Sequence, residues 1–268
     1  MNNNKLHIAS EDILAGLKRY DLVGMLGWQD IHQRYRRSVI GPFWLTISTA
    51  VMIGMIGFIF GTIFKAPMDE FLPYLAVGLI TWTYMSTCIQ EGCTTFTASE
   101  SIIKQLRLPL FIHVLRILWR NMIIYCHNLI ILPVVYLILG KSIGGIIFLA
   151  IPGLLLLTIN LAWMALFLGI VCTRYRDMSQ IVNSLIQVLF YITPIIWMPS
   201  LMAHRPGANA FLINLNPVYH LISIVRIPLL GAYPSALNWL VSIFIAIIGW
   251  GVTLLIYSRF KKRIAYWL

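Results

Sequence analysis

The chain has 268 residues, of which 59% are hydrophobic and only 11% are charged. A typical soluble domain carries about 25% charged residues, and a water-soluble fold of this size cannot bury so much apolar surface. The composition therefore excludes a soluble globular protein and predicts a polytopic, all-α integral membrane protein. In a soluble chain the net charge of +11 would favour a nucleic-acid partner. Here we expect no such partner, and the positions of the basic residues matter instead.

The cysteines and the start of the chain add two expectations. The four cysteines lie in or beside apolar segments without metal-ligand spacing; they are Cys88, Cys93, Cys126 and Cys172. This pattern indicates small packing residues rather than a disulfide framework or a metal site. The polar start shows no signal peptide, so we expect membrane insertion through the internal spans.

Residues 1–38 are predicted to form cytoplasmic amphipathic interface helices. After a polar, loose start, Ser10 is a suitable N-cap, and Gly24 is expected to interrupt the helix. A second amphipathic stretch combines an apolar face with three arginines, Arg34, Arg36 and Arg37. This pattern favours a helix in the headgroup plane with its arginines toward anionic lipid. A solvated cytoplasmic helix is the alternative.

Six stretches with at most one charge predict six transmembrane helices within residues 39–258. They cover 39–64, 71–96, 121–139, 143–171, 181–197 and 239–257. In the first, Gly54, Gly57 and Gly61 lie close to one face, and the pair Gly57 and Gly61 has the spacing that lets another helix approach closely. The second contains Glu91. Inserting its carboxylate at mid-membrane would cost about 3 kcal/mol, which indicates a role in a pathway or in helix packing. The alternative is that Glu91, near the end of its helix, reaches the membrane interface.

The fifth predicted span follows a basic cluster at Arg174 and Arg176. Asp177 is expected to cap this helix, with Gln180 completing a capping box. The apolar run breaks at Pro194 and ends near Trp197, an aromatic residue typical of the membrane interface.

Basic residues are distributed unevenly between the two sides of the six spans. Sixteen lie in residues 1–38, in the connections after the second and fourth spans, and around the basic tail 259–268, against four on the opposite side. The positive-inside rule therefore predicts that both termini are cytoplasmic.

Residues 198–235 are predicted to lie on the outer side, although they are too apolar for a solvated loop. Five prolines, at 199, 206, 217, 228 and 234, leave no run long enough to span the membrane. We expect short re-entrant helices between the fifth and sixth spans that help to close the outer end of a pathway. A membrane-surface hairpin without a gating role is the alternative.

The sequence contains no recognisable catalytic or nucleotide-binding motif. Gly140-Lys141-Ser142 resembles the end of a phosphate-binding loop, but Val135 occupies the position where that loop requires glycine. No acid pair, nucleophile–base pair or metal cluster is apparent. We therefore expect no enzymatic activity, no cofactor and no metal in this chain. If the chain moves a substrate against a gradient, we expect a separate subunit to bind ATP-Mg and supply the energy.

Three segments together resemble the permease subunit of type-2 ABC exporters. They are RYRRSVIGPFW at 34–44, RYRDMSQIV with TPIIWMP at 174–199, and the set Asn216-Pro217, Arg226 and Gly231 before the last span. The similarity covers nearly the whole chain, and it is greatest to polysaccharide and polyol phosphate exporters of the O-antigen type.

The resemblance implies a homodimer in the bacterial inner membrane whose channel conducts an undecaprenyl-diphosphate-linked polysaccharide. A pair of ATP-binding subunits would dock on the cytoplasmic face, against the N-terminal helices and a coupling helix at 99–109. The implied ATPase contacts are Ser101, Ile102, Ile103, Lys104 and Arg107. The family's outer gate helices would correspond to residues 201–230, with Asn216, Pro217 and Arg226.

Two groups of side chains suit such a substrate. Aromatic faces stack on sugar rings without a fixed hydrogen-bond pattern, although aromatic residues at helix ends also serve as interface anchors. The channel-lining candidates are Trp82, Tyr84, Glu91, Phe190, Tyr191 and Trp197. Arg34, Arg36 and Arg37 are candidates for pairing with a lipid diphosphate or with anionic headgroups. A capsule or teichoic-acid exporter, a small-molecule exporter, and an integral-membrane polymerase or acyltransferase are the alternative functions.

Overall fold

The structure, a computed structural model, describes residues 2–36, 41, 43–142, 144–199 and 213–268, without the side chains of 2–5, 34 and 35. The described chain forms α-helices and two 3₁₀-helical turns, with no strand among them, which confirms the all-α class. The α-helices are α1 (Asn2–Lys18), α2 (Tyr20–Tyr35), α3 (Phe43–Phe64), α4 (Met68–Cys93), α5 (Glu100–Gln105), α6 (Phe111–Leu129), α7 (Ile131–Ile138), α8 (Ala150–Arg174), α9 (Met178–Ile192), α10 (Pro217–Leu229) and α11 (Ala236–Trp267). The 3₁₀ turns are Thr97–Ser99 and Gly145–Leu149.

Five helical segments of the described chain are long and apolar enough to cross a membrane. They are α3, α4, the continuous pair α6–α7, α8 with its preceding 3₁₀ turn, and α11. The fifth predicted span corresponds to α9, which has only 15 residues. Its length of about 22 Å is less than a hydrocarbon core of about 30 Å. The count of six spans therefore stays a prediction.

The helix that contains the third predicted span begins earlier than the sequence indicated, at Phe111 rather than at residue 121. Two arginines inside this extension, Arg116 and Arg120, both pair with Asp30 of α2, and Arg120 also pairs with Glu91 of α4. Because two carboxylates on neighbouring helices balance the two arginines, these charges do not end the helix. Helix α11 likewise continues through the basic tail to Trp267.

The predicted start of the N-terminal helix is wrong, whereas α9 begins directly after Asp177 as predicted but without the predicted side-chain cap. Helix α1 begins at Asn2, and Ser10 lies inside it, where its hydroxyl donates to the His7 carbonyl at 2.9 Å. The break between α1 and α2 falls at Arg19 rather than at Gly24. Asp177 precedes α9 in a helical conformation without a side-chain hydrogen bond to it, so the capping box is not formed.

Helix α4 is the centre of the bundle and packs against α3, α6, α8, α9 and α10. Most of its side chains are buried, whereas α3 and α11 expose most of theirs. In α3, Ile53, Gly57 and Gly61 form the buried face. Gly57 and Gly61 lie directly against side chains of α4, which confirms the close helix approach predicted from their spacing, whereas Gly54 is open and takes no part in this contact.

The bundle has two ends that differ in their contents. At the end called here the α5 end, α1 packs against α6 and α11 beside the short helix α5. The opposite end, called the α10 end, holds the turn at 193–197, α10 and the 3₁₀ turn Gly145–Leu149, which packs against α10. The N-terminal and C-terminal helices therefore meet at the α5 end.

Candidate translocation surface and coupling contacts

One face of α9 is polar and exposed. Gln180, Asn183, Ser184 and Gln187 are all exposed, and their intervals of three and four residues put them on one side of the helix. The opposite side buries Val182 and Ile186 against the bundle. Lipid offers no hydrogen-bond partner to an amide side chain. This face therefore requires water or another protein surface.

A cleft of about 390 Å³ lies between α4 and the polar face of α9. From α4 it is lined by Trp82, Ser86 and Gln90, and from α9 by Gln187, Phe190 and Tyr191 among others. The ring centroids of Trp82 and Phe190 are 5.5 Å apart, and those of Phe190 and Tyr191 are 5.4 Å apart. Three of the predicted channel residues, Trp82, Phe190 and Tyr191, are thus brought together. Ser86, Gln90 and Gln187 complete the cleft, and they were not predicted from the sequence.

The other channel candidates lie apart from this cleft. Tyr84 is buried, and its hydroxyl shares a 3.1 Å hydrogen bond with Thr158 of α8. Its ring packs against Tyr125 of α6, so it contributes to helix packing. Trp197 is half-buried, and its indole donates to the Tyr191 carbonyl at 3.3 Å. Trp197 therefore supports the end of α9 that carries Tyr191.

At the α10 end, Arg226 of α10 fixes the turn that follows α9. Its buried guanidinium donates to the Pro194 carbonyl at 2.7 Å and lies 4.1 Å from the centroid of the Tyr74 ring. The Tyr74 hydroxyl donates to the same carbonyl at 2.9 Å. Asn216 caps α10 and donates to the Thr193 hydroxyl at 2.9 Å, while Pro217 occupies the first helical turn. Residues 200–212, which belong to the predicted outer gate, lie outside the described residues.

Helix α5 is the exposed connection between α4 and α6, and none of its six residues is buried. Ser101, Lys104 and Arg107 are exposed, whereas Ile102 and Ile103 are half-buried. Lys104 donates to Glu100 at 2.6 Å, and this hydrogen bond lowers the pKa of the Glu100 carboxyl. Ser99 precedes the helix without capping it.

The three arginines predicted to contact headgroups lie around the end of α2. Arg36 is exposed and follows the last helical residue. Arg34 lies in α2, with its side chain outside the described part, and Arg37 lies outside the described residues.

Comparison with known proteins decides the family. Residues 21–230 match the model of the ABC-2 type transporter family. The chain belongs to this family. The matched range includes the α4–α9 cleft, α5 and α10.

Relatives of this ABC-2 transporter chain include three proteins described as O-antigen export system permease protein RfbA. The relative from Myxococcus xanthus is 22% identical over 200 residues, which cover 73% of this chain and 75% of the relative. Two relatives from Klebsiella pneumoniae are 22% and 24% identical and cover 76% of this chain and 78% of their own length.

A charge cluster between α2, α4 and α6 of the ABC-2 chain was not found from the sequence. Asp30 forms ion pairs with Arg116 and, at 2.9 Å, with Arg120. Arg120 also donates to Glu91 at 2.5 Å, and Asn121 donates to the same carboxylate oxygen at 2.5 Å. Glu91 therefore joins α4 to α6, and it lies apart from the residues that line the α4–α9 cleft. Its partner is an arginine far along the chain, so no local pattern indicated it.

A second cluster at the α5 end is centred on the buried carboxylate of Asp12 in α1. It accepts hydrogen bonds from the backbone amides of Leu110 and Phe111 at 3.3 and 3.1 Å. It also accepts a hydrogen bond from Tyr257 at 2.6 Å and pairs with Lys261 at 2.9 Å. Asp12 therefore caps α6 from another helix and ties α1 to α11. From the sequence, Asp12 was recognisable only as an acidic residue in the N-terminal segment.

Proposed function

We propose that this chain is the channel subunit of an ATP-driven exporter that moves undecaprenyl-diphosphate-linked polysaccharide of the O-antigen type across the bacterial inner membrane. Two copies would form the channel, and a separate pair of ATP-binding subunits would supply the energy. The family makes the chain a membrane transport subunit. The substrate, the second copy and the partner are the proposed parts.

The observation that carries the proposal is the polar, uncharged face of α9. Four hydrogen-bonding side chains are exposed there, whereas the exposed faces of the long helices α3 and α11 are largely apolar. A single chain leaves this face open, and lipid cannot satisfy it. A second copy facing the first across a water-filled channel would satisfy it. A polysaccharide in such a channel meets hydrogen-bonding groups without meeting a fixed charge.

The aromatic side chains beside this face support a sugar polymer as substrate. Trp82 and Phe190 form the wall of the cleft, and Tyr191 is 68% exposed. Aromatic faces hold sugar rings by stacking, which tolerates sliding because it requires no fixed hydrogen-bond geometry. The names of the three relatives support export of O-antigen. The arginines after α2 are candidates for the lipid diphosphate.

Helix α5 is the proposed contact for the ATP-binding partner. Its lack of buried residues means that another surface can cover it without unfolding the bundle. It joins α4, which carries the cleft, to α6, which is capped by Asp12. A force on α5 would therefore act on both helices. ATP-Mg would bind to the partner alone.

The proposed topology puts the α5 end in the cytoplasm. Helix α1 and the last part of α11 meet at this end, where Lys261 donates to the Ile8 carbonyl at 3.1 Å. Under the proposed topology both are therefore cytoplasmic. The excess of basic residues also lies at this end, as the positive-inside rule requires of cytoplasmic segments.

The deciding experiment deletes the gene and follows the glycan. We expect cells without this chain to lose surface polysaccharide and to accumulate the lipid-linked polymer inside, detected by fractionation and immunoblotting. Complementation with the wild-type chain should restore the surface signal. Polymer that is absent from every fraction, in a strain without effects on neighbouring genes, would assign the chain to synthesis and overturn the export proposal.

A further inference from the structure

An apolar groove on the outside of the bundle is separate from the translocation surface. It lies between the α1–α2 corner, the first half of α6 and the first half of α8, and has a volume of about 660 Å³. This volume is within the range of about 300–1,000 Å³ that is usual for small-molecule sites. Its walls include Leu17, Gly24, Leu118 and Leu154, and almost all of its surface is apolar.

The groove opens toward the membrane. Leu155 of α8 and Trp119 of α6 line it and are 60% and 46% exposed, and both belong to helices that are long and apolar enough to span. Tyr20 at its α2 wall is 80% exposed. Tryptophan and tyrosine are the side chains that concentrate at the headgroup level of a bilayer. The α1–α2 corner of the groove therefore lies at the membrane interface on the α5 side, and the groove extends from this corner toward Ile151 at the start of α8.

Two basic residues lie at this corner. Lys18 ends α1 and Arg19 separates it from α2, between the groove residues Leu17 and Tyr20. Both are exposed, and neither forms an ion pair with a described side chain. Even with Asp21 one residue further on, the corner keeps a net positive charge. Basic pockets beside membrane helices attract anionic lipid headgroups.

We propose that this groove binds one acyl chain of an anionic membrane phospholipid, whose phosphate is held by Lys18 and Arg19. Helices α1 and α2 pack directly on α6, while the groove separates their corner from α8. The lipid chain fills this separation and joins the N-terminal helices to the transmembrane bundle. The site is distinct from the α4–α9 cleft and does not depend on the exported substrate.

Gly24 offers a direct test because a side chain at this position would enter the groove. A Cβ at Gly24 meets no atom within 4 Å, and leucine favours helix over glycine, so Gly24→Leu fills the groove without damaging α2. Gly54 of α3 is the matched control, because it is also helical and open but lies away from the groove.

The experiment is native mass spectrometry of the purified full-length chain with phosphatidylglycerol or phosphatidylcholine of identical acyl chains. We expect wild type and Gly54→Leu to retain one phosphatidylglycerol per chain. For Gly24→Leu we expect about tenfold weaker retention, which corresponds to the loss of about two buried methylene groups. Equal retention by Gly24→Leu and Gly54→Leu would overturn the groove as the site.

Two further arms test the headgroup and the identity of the lipid. The double variant Lys18→Gln, Arg19→Gln should bind both lipids equally, whereas Lys262→Gln, Arg263→Gln should keep the preference for phosphatidylglycerol. If both double variants keep the preference for phosphatidylglycerol, Lys18 and Arg19 do not hold the phosphate, and this part of the proposal is overturned. Polyprenyl phosphate is the competing ligand. If polyprenyl phosphate at equal concentration displaces phosphatidylglycerol from the wild type, the groove prefers a polyprenyl lipid, and the phospholipid assignment is refuted.

Discussion

The Tyr257 hydroxyl donates a 2.6 Å hydrogen bond to the carboxylate of Asp12, across 245 residues of chain. The same carboxylate pairs with Lys261 and accepts both amides at the start of α6. Helix α6 has no cap from its own N-terminal residues, since Leu110 makes no side-chain hydrogen bond. One buried acid therefore joins the first helix, the last helix and the span that follows α5.

Replacing Asp12 with asparagine should destabilise the bundle by about 2–4 kcal/mol, because it removes one partner of a buried ion pair and replaces an acceptor by an amide. The measurement is the thermal unfolding midpoint of the purified chain in detergent. Glu11→Gln is the matched control at the next position. Glu11 is exposed and pairs only with His7 among the described side chains, so its replacement should leave the midpoint within error. Equal midpoints for the two variants would contradict the capping role of Asp12.

The contact between Glu91 and Arg120 should give a measurable coupling energy. Both side chains are largely buried, with 21% and 17% exposed, and they are joined at 2.5 Å. A double-mutant cycle with Glu91→Gln and Arg120→Gln should yield a coupling of about 1–3 kcal/mol. Arg120 keeps its contact with Asp30 in the Glu91 variant, so the single change should not unfold the domain.

Glu100 and Lys104 provide the control cycle for this pair. They are also joined by a short hydrogen bond, at 2.6 Å, but their side chains are 43% and 48% exposed on α5. Solvent screens such a pair. We expect no measurable coupling in the cycle Glu100→Gln, Lys104→Gln. A coupling as large as that of the buried pair would show that burial does not set the difference.

The role of α5 can be tested with a bulky substitution on its exposed face. Ser101 is exposed, so Ser101→Trp should leave the fold intact while obstructing the partner surface. We expect normal expression with loss of export and of coupled ATP use. Ser142→Trp is the matched control, because Ser142 is an exposed serine in the turn between α7 and α8, at the opposite end of the bundle.

The half-buried Ile103 makes Ile103→Asp a less specific test of the same surface. Its side chain packs against the core of the bundle, so aspartate there would disturb packing as well as docking. Normal export by Ser101→Trp would move the proposed contact away from α5, toward the exposed parts of α1 and α2.

The all-α class and the approximate positions of five spans could be predicted from the sequence, because apolar runs of that length are rare outside membrane-spanning helices. The close approach at Gly57 and Gly61 followed from local spacing. The cleft was predicted in part: Trp82, Phe190 and Tyr191 meet there, whereas Tyr84 is turned toward α6 and α8. Which face of a helix is buried in a membrane depends on its neighbours, and aromatic character alone does not reveal it.

The two charge clusters could not be predicted, because their members are joined only by the fold. Asp30 and Arg116 are separated by 86 residues, and Asp12 and Lys261 lie in the first and last helices. The start of α6 was misplaced for the same reason, since its arginines resemble a span boundary unless Asp30 and Glu91 are known to balance their charges. The polar residues of α9 recur at intervals of three and four residues in the sequence. Because apolar residues lie between them, the segment as a whole is strongly hydrophobic, and its polar face was not recognised.

The last prediction concerns the α4–α9 cleft, where Tyr191 is the most exposed of the three aromatic residues that meet there. If the exported glycan slides past this ring, Tyr191→Ala should lower the export rate about two- to tenfold, the effect of losing a stacking contact of about 0.5–1.5 kcal/mol. Tyr191→Phe keeps the ring and should export at nearly the wild-type rate. The measurement is the appearance of surface glycan after induction of each variant in the deletion strain, at matched membrane levels.

Tyr266 provides the control for this prediction, because it is 89% exposed near the end of α11 and lies outside both the cleft and residues 198–235. Tyr266→Ala loses a comparable exposed ring without touching the proposed path, so export should not change. A loss of export in Tyr191→Phe as large as in Tyr191→Ala would show that the hydroxyl, rather than the ring face, makes the contact. If Tyr191→Ala and Tyr266→Ala both export normally, the polymer does not contact this ring, and the polar face of α9 must then be covered by a neighbouring protein surface.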